Sequence, residues 1–284
     1  MLVDAIAAET FKLTKNWRTS FFAFVFLPVV GLIIALLSEL WLEDAFNPNQ
    51  GGPSLQDLIP FNLAQAIQSS LAPPTFPLTI LFCLIGAAVI FAGEYRWETW
   101  RLMAPRNTRA NSLLGKILVY AGAAAASLLL GAVLTVIAGL IGALADGQRA
   151  VGGFEDGALS LILGAFGLSW VHLLQAGAVA ALAAVVTRSI LAALMVPLGL
   201  GIAQSILQAL TSNMPPAEME WWRPFLMPSL GADILKMAMQ PVPLPGMELP
   251  SALVWASAAA LAVWVIGGFG GALALFLRQD LSKE

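Results

Sequence analysis

Six apolar stretches, near residues 20–41, 75–93, 113–144, 158–187, 189–211 and 251–277, dominate this chain and limit what it can fold into. A helix rises 1.5 Å per residue and the hydrocarbon layer is ~30 Å thick, so about 20 mostly apolar residues cross a bilayer. Each stretch meets that length. The third and fourth exceed it, which predicts tilt or extension past the hydrocarbon. A soluble domain carries roughly 25% charged residues. This chain has 11%, with 59% hydrophobic residues, and a mean hydropathy of +0.83. The expected fold class is all-α: a polytopic integral membrane protein with six transmembrane helices. Residues 1–284 read as one transmembrane domain, with no soluble domain, internal repeat or low-complexity tail.

Charge placement sets the expected orientation. Lys12, Lys15 and Arg18 precede the first span, and Arg96, Arg101, Arg106, Arg109 and Lys116 lie between the second and third. Arg188 sits in the tight fourth turn, and Arg278 and Lys283 follow the last span. Eleven of the 14 basic residues thus fall on one side, leaving Arg149, Arg223 and Lys236 on the other. The positive-inside rule then predicts a multi-pass cell-membrane (inner or plasma membrane) protein with both termini cytoplasmic. The net charge of −3 weighs little, because Asp and Glu contribute little to that rule. Cys83, the one cysteine, falls in the second span and reads as a small buried apolar residue. The first apolar run contains Pro28 and ends without a small-x-small site, so no removable signal peptide is expected.

Segments outside the spans add detail. Over residues 1–19, Leu2, Ile6, Leu13 and Trp17 fall in one narrow arc of a helical wheel, opposite Asp4, Lys15 and Arg18, with Phe11 as the misfit. This pattern predicts an interfacial elbow helix lying along the lipid headgroups; the alternative is a frayed cationic flank that only sets topology. Two outer loops, 42–74 and 212–250, are too long to be plain connectors. In the first, Ser54-Leu-Gln-Asp57 has capping-box spacing and opens a short helix running towards Leu71. In the second, Ser229 to Met239 reads as a short helix between prolines, and Trp221 and Trp222 suit a membrane-water boundary.

The turn over 94–112 concentrates charge and aromatic residues between two apolar spans. Glu94 and Glu98 share a helical face, Arg101 can pair with Glu98, and Pro105 stops the helix. The order Glu94, Thr99, Pro105, Arg109, Lys116 resembles the type-2 ABC exporter permeases. Glu9-Thr-Phe-Lys12 with its basic neighbours is similar to that family's elbow helix, and six spans with a long last outer loop match as well. Where the family usually has glycine before the threonine, this chain has Glu98, which adds charge and bulk.

The resemblance implies a permease subunit that pairs with a second permease copy, as homodimer or heterodimer, and with two cytosolic ABC ATPase subunits. It also implies that 94–112 is a cytoplasmic coupling helix. The residues assigned to ATPase coupling are Glu94, Tyr95, Trp97, Glu98, Thr99, Trp100, Arg101, Pro105 and Arg109, with Leu102 as a further apolar anchor of a helix-in-groove contact. The sequence contains no G-x-x-x-x-G-K-[ST] loop; Gly115-Lys116 is the nearest fragment, with Ala110 and Ile117 breaking the pattern. ATP and magnesium are therefore expected in the partner ATPase, with no cofactor bound by this chain and no enzymatic activity of its own. Partners are the ATPase, the second permease and membrane lipid, with no nucleic acid.

Polar residues within spans are costly and so mark candidate path residues. Ser169, His172 and Gln175 recur every three residues on one helical face beside Trp170, and Gln204 and Gln208 lie four apart after Pro197. They either line a translocation path or hydrogen-bond between helices, at ~0.6 kcal/mol each. One histidine and one distant cysteine cannot assemble a metal site. Gly267 and Gly271 form a G-x-x-x-G, read as packing within the subunit or as a dimer seam. The expected function is ATP-driven export; the alternative is a mechanical ABC subunit that passes ATPase motion to an outer partner without moving solute, and the second alternative is an ion-gradient-driven secondary transporter.

Overall fold

The computed structural model describes residues 2–37, 60–71, 77–97, 108–145, 147–155, 157–211, 218–240 and 249–279. Helix α1 (Leu2–Lys15) is followed by α2 (Trp17–Ser20), a π-helical turn (Phe21–Val25) and α3 (Phe26–Leu37). Strand β1 (Phe61–Asn62) leads into α4 (Leu63–Ser70), and then come α5 (Pro77–Trp97) and α6 (Arg109–Ala145). Strand β2 (Ala150–Val151) precedes α7 (Ala158–Thr187) and α8 (Ile190–Thr211). Two short helices, α9 (Arg223–Leu226) and α10 (Pro228–Ala238), lead to α11 (Ser251–Arg278).

The protein is a helical, polytopic membrane protein. Among the described residues, five helical segments are long and apolar enough to cross a bilayer: Trp17–Leu37, Arg109–Ala145, Ala158–Thr187, Ile190–Leu210 and Ser251–Arg278. In α5 the apolar stretch among the described residues is Ile80–Tyr95. The two long spans expected from the sequence are α6, 37 residues, and α7, 30 residues.

The first crossing shows how sequence shapes a helix. Pro28 cannot donate to the carbonyl four residues back, that of Phe24, and its ring crowds that position. The chain responds with the π-helical turn over Phe21–Val25. The freed Phe24 carbonyl accepts a hydrogen bond from Ser127 Oγ of α6 at 2.7 Å, so no backbone acceptor is stranded in an apolar environment.

Helix α7 is the central post, packed on α5, α8 and α11. Ala178, Ala180, Ala181 and Ala184 are fully buried along it, and small residues let backbones approach closely where water supplies no hydrophobic drive. The close approach to α11 falls at Gly268, where a Cβ would come within 2.8 Å of Ala178 Cβ and 3.2 Å of its backbone. The expected G-x-x-x-G is displaced by one residue: Gly267 faces open space, and Gly271 has only an ordinary contact with Leu182. At Gly177 the Tyr120 ring fills the room of a side chain, 2.1 Å from an ideal Cβ, and the Tyr120 hydroxyl donates to the Leu173 carbonyl.

Outside the long helices the expectations meet mixed outcomes. The short helix expected over 229–239 is α10, at Pro228–Ala238. The helix expected to open at Ser54 and run towards Leu71 starts at Leu63 instead, after strand β1, with Asn62 as N-cap accepting from the Gln65 amide, and ends at Ser70. Ser54–Asp57 lies outside the described residues. The sequence reading contained no strand, yet β1 and β2 pair in parallel, Phe61 opposite Ala150 and Asn62 opposite Val151. Two-residue strands carry no periodicity to read.

Candidate functional site

The bundle has two chemically distinct ends. At one, α1 lies against the start of α6 and the close of α5. Gly115 makes the approach possible, because a Cβ there would come within 2.9 Å of Ala5 Cβ. The face of α1 turned inward carries Ala5 and Glu9, both 4% exposed, together with Leu13. Of the apolar arc expected for 1–19, Leu13 packs against the core and Trp17, past the turn at Asn16, is exposed; Phe11, the misfit, is exposed as well. An ion-pair cluster lies on the side of α1 that faces the bundle.

That ion pair is a quartet. Lys12 Nζ lies 2.6 Å from Glu9 Oε1 and 2.5 Å from Glu94 Oε1. Lys116 Nζ lies 2.5 Å from Glu94 Oε2 and 3.3 Å from Glu9 Oε2, and also donates to the Ile90 carbonyl at 2.5 Å. Among the described residues, two ammoniums alternate with two carboxylates. Glu9, Glu94 and Lys116 are buried and Lys12 reaches solvent. Burial pulls the Lys12 ammonium down, but the carboxylates of Glu94 and Glu9 outweigh it and hold the group above its ordinary value of 10.5. Buried charges survive only when paired and bonded in this way.

A second knot closes the same end. The Tyr95 hydroxyl bonds Gln279 Oε1 at 3.0 Å, and Gln279 Nε2 donates to the Val185 carbonyl at 2.5 Å. Arg109 Nη1 donates to the Gln279 carbonyl at 2.6 Å. The ends of α5, α7 and α11 and the start of α6 are thereby tied together. Arg188, in the left-handed region at φ 55°, makes the tight α7–α8 turn here.

Of the residues assigned to ATPase coupling, the structure brings Glu94, Tyr95 and Arg109 into these two knots, and Trp97 ends α5. Glu94 turns inward, 6% exposed, and braces rather than presents its carboxylate. Glu98, Thr99, Trp100, Arg101 and Pro105 lie outside the described residues, as does Leu102.

Towards the other end, α5, α7, α8 and α10 line an open-sided cavity of about 250 Å³. Pro197 lies on its wall, where it removes a backbone hydrogen bond from α8. Four of the six candidate path residues, His172, Gln175, Gln204 and Gln208, line this cavity. The other two do not. Ser169 Oγ donates to the Leu71 carbonyl, and Trp170 Nε1 donates to the Ala121 carbonyl at 2.9 Å. Both tie helices together, the structural alternative of the sequence reading. Gln204 Oε1 accepts from the Ser229 amide, and Gln208 Nε2 donates to Asp233 Oδ2.

No family model matches this chain. No curated protein matches it in sequence either. The chemistry of the two ends therefore has to carry the functional argument.

Sequence reasoning missed Ser229 and Asp233 in the cavity wall, and Gln279 in the second knot. No sequence signal marked Asp233, the one acid of α10; its neighbours Ala232 and Ile234 are buried in the structure. Burial pushes the Asp233 carboxyl above its ordinary 3.8, with the Gln208 amide and Lys236 acting against that rise.

Proposed function

We propose that this chain is the permease subunit of an ATP-binding-cassette exporter, acting as a pair with two cytosolic ATPase subunits. The observation that carries the reading is the charge quartet. It locks α1 to the two helices that lead into and out of residues 98–107, so a push on that turn is delivered to α5, α6 and α1 as one body. In this reading α1 is the elbow helix, α5 is the second of six crossings, and the basic end faces the cytoplasm. The resemblance of Glu94, Thr99, Pro105, Arg109 and Lys116 to the type-2 exporter pattern points the same way. The cavity lined by His172, Gln175, Gln204 and Gln208 favours solute export over a purely mechanical role.

The test is co-purification from mild detergent, followed by ATPase assay of the complex in liposomes. An accompanying nucleotidase, stimulated by this chain and uncoupled from transport by Arg101→Ala, supports the reading. Nucleotide hydrolysis by the chain alone, or external labelling of a cysteine placed at Arg106, would sink it.

A further inference from the structure

The cavity walls have a one-sided chemistry. Among the described residues they include one carboxylate, Asp233, and neither lysine nor arginine. His172 Nδ1, Gln175 Oε1 and Ser229 Oγ are buried there without a hydrogen-bond partner among the described residues. His172 is 7% exposed and Gln175 5%. A buried polar atom left unpaired costs ~1–3 kcal/mol, and native structures hold few of them. Three converging on one cavity mark a place built to bond a polar guest.

The type of atom narrows the guest. An amide oxygen and an ionised carboxylate can only accept, and a hydroxyl or an unprotonated imidazole nitrogen can also accept. Asp233 Oδ2 is held by the Gln208 amide, which orients the carboxylate, and Oδ1 makes no hydrogen bond among the described residues. Lys236 lies one turn further along α10 and is not part of the wall. The complement of an acceptor-rich, negatively charged set is a cation with several N–H groups. A primary ammonium has three donors and no acceptor. The remaining wall, with Ile80, Leu84, Val179 and Leu198, suits a hydrocarbon body. At about 250 Å³ the space falls below the ~300–1,000 Å³ of drug-sized sites, so the body is one small ring or a short chain.

We propose that this cavity binds a small primary amine as its ammonium ion, donating to Asp233, Gln175 and Ser229, with its hydrocarbon against Leu84 and Val179. That the amine is cargo rests on the permease reading; that it binds does not.

The test is calorimetric titration of the purified full-length chain in mild detergent with 2-phenylethylamine, near neutral pH. Two analogues separate the contributions: 2-phenylethanol lacks the charge, and the N,N,N-trimethyl derivative keeps the charge without N–H donors. The amine is expected to bind at least about tenfold more tightly than either. Asp233→Asn should lower amine affinity about tenfold or more and erase the preference over the alcohol, while the melting temperature holds or rises. Gln175→Leu should weaken the amine as well. Equal affinity for amine and alcohol, unchanged affinity in Asp233→Asn, or no heat with folded wild-type protein (water alone filling the cavity) would each overturn the proposal. Transport is scored separately. Binding without ATP-driven accumulation in vesicles counts against the permease reading alone, and ATP-driven transport of other solutes without amine binding counts against this site alone.

Discussion

Lys116 Nζ sits 2.5 Å from Glu94 Oε2, and the two side chains, 2% and 7% exposed, join the start of α6 to the close of α5. The same carboxylate reaches Lys12 of α1 through its other oxygen, at 2.5 Å. Glu94 is therefore the hub of three helices. Residues 94–112, which it opens, are the segment that the permease reading assigns to the ATPase. Both carboxylate oxygens of Glu94 are ion-paired, Oε1 to Lys12 and Oε2 to Lys116.

Removing one ion of this quartet should be far worse than removing a matched pair. Lys116→Met leaves Glu9 and Glu94 short of a cation in a buried site, and breaking such a pair costs about 3–5 kcal/mol. Adding Glu94→Gln to it should restore part of the loss. Denaturation of the single and double variants in detergent gives the coupling energy, and simple additivity would remove the quartet from the account.

The quartet also predicts behaviour in alkali. Lys12 is raised above 10.5 in the folded protein by the carboxylates of Glu94 and Glu9, which outweigh its burial. Its stabilising contribution is complete below 10.5 and is lost as pH rises through the raised value. Melting temperatures of wild type and Lys12→Met should accordingly converge in strong alkali and differ most below 10.5. A gap that stays constant across that range would mean Lys12 contributes packing and not charge.

How much of this was legible in the sequence depends on the size of the signal. The long helices were, because about 20 uncharged residues in a row leave few alternatives. The quartet was half-legible. Glu9, Lys12, Glu94 and Lys116 were each picked out as members of a pattern, but Glu9 and Lys116 are 107 residues apart and nothing local says that they meet. His172, Gln175, Gln204 and Gln208 shared a cavity as their helical spacing allowed. Ser169 followed the same three-residue rhythm, yet it bonds the Leu71 carbonyl instead, because helix α4 packs against that end of α7. Asp233 looked like an ordinary loop acid, since a short helix between prolines gives no hint of which side is covered.

The seam between α7 and α11 separates neighbouring glycines. Gly268→Leu should destabilise the monomer by about 1–3 kcal/mol or more, because the new side chain meets Ala178 Cβ and backbone within 3.3 Å. Gly267→Leu, with open space before it, should leave the monomer's melting temperature unchanged. If size-exclusion of Gly267→Leu shows loss of a dimer at unchanged melting temperature, the outward face of α11 is the contact between permease copies. Equal destabilisation by the two substitutions would contradict the packing described for α11.

His172 gives the sharpest contrast between structural and functional duty. Its Nδ1 makes no hydrogen bond among the described residues, so the imidazole contributes little to stability through polar bonding. His172→Leu should hold or raise the melting temperature, since an apolar side chain of similar reach replaces an unpaired buried atom. The same change should alter transport, reducing affinity for cargo while leaving assembly with the ATPase intact, because the residue lies on the cavity wall and away from the quartet. A fall in stability of ~1–3 kcal/mol with normal transport would return His172 to a purely structural role. Stability and transport measured on one protein preparation decide between these, since the two readings predict opposite signs for both.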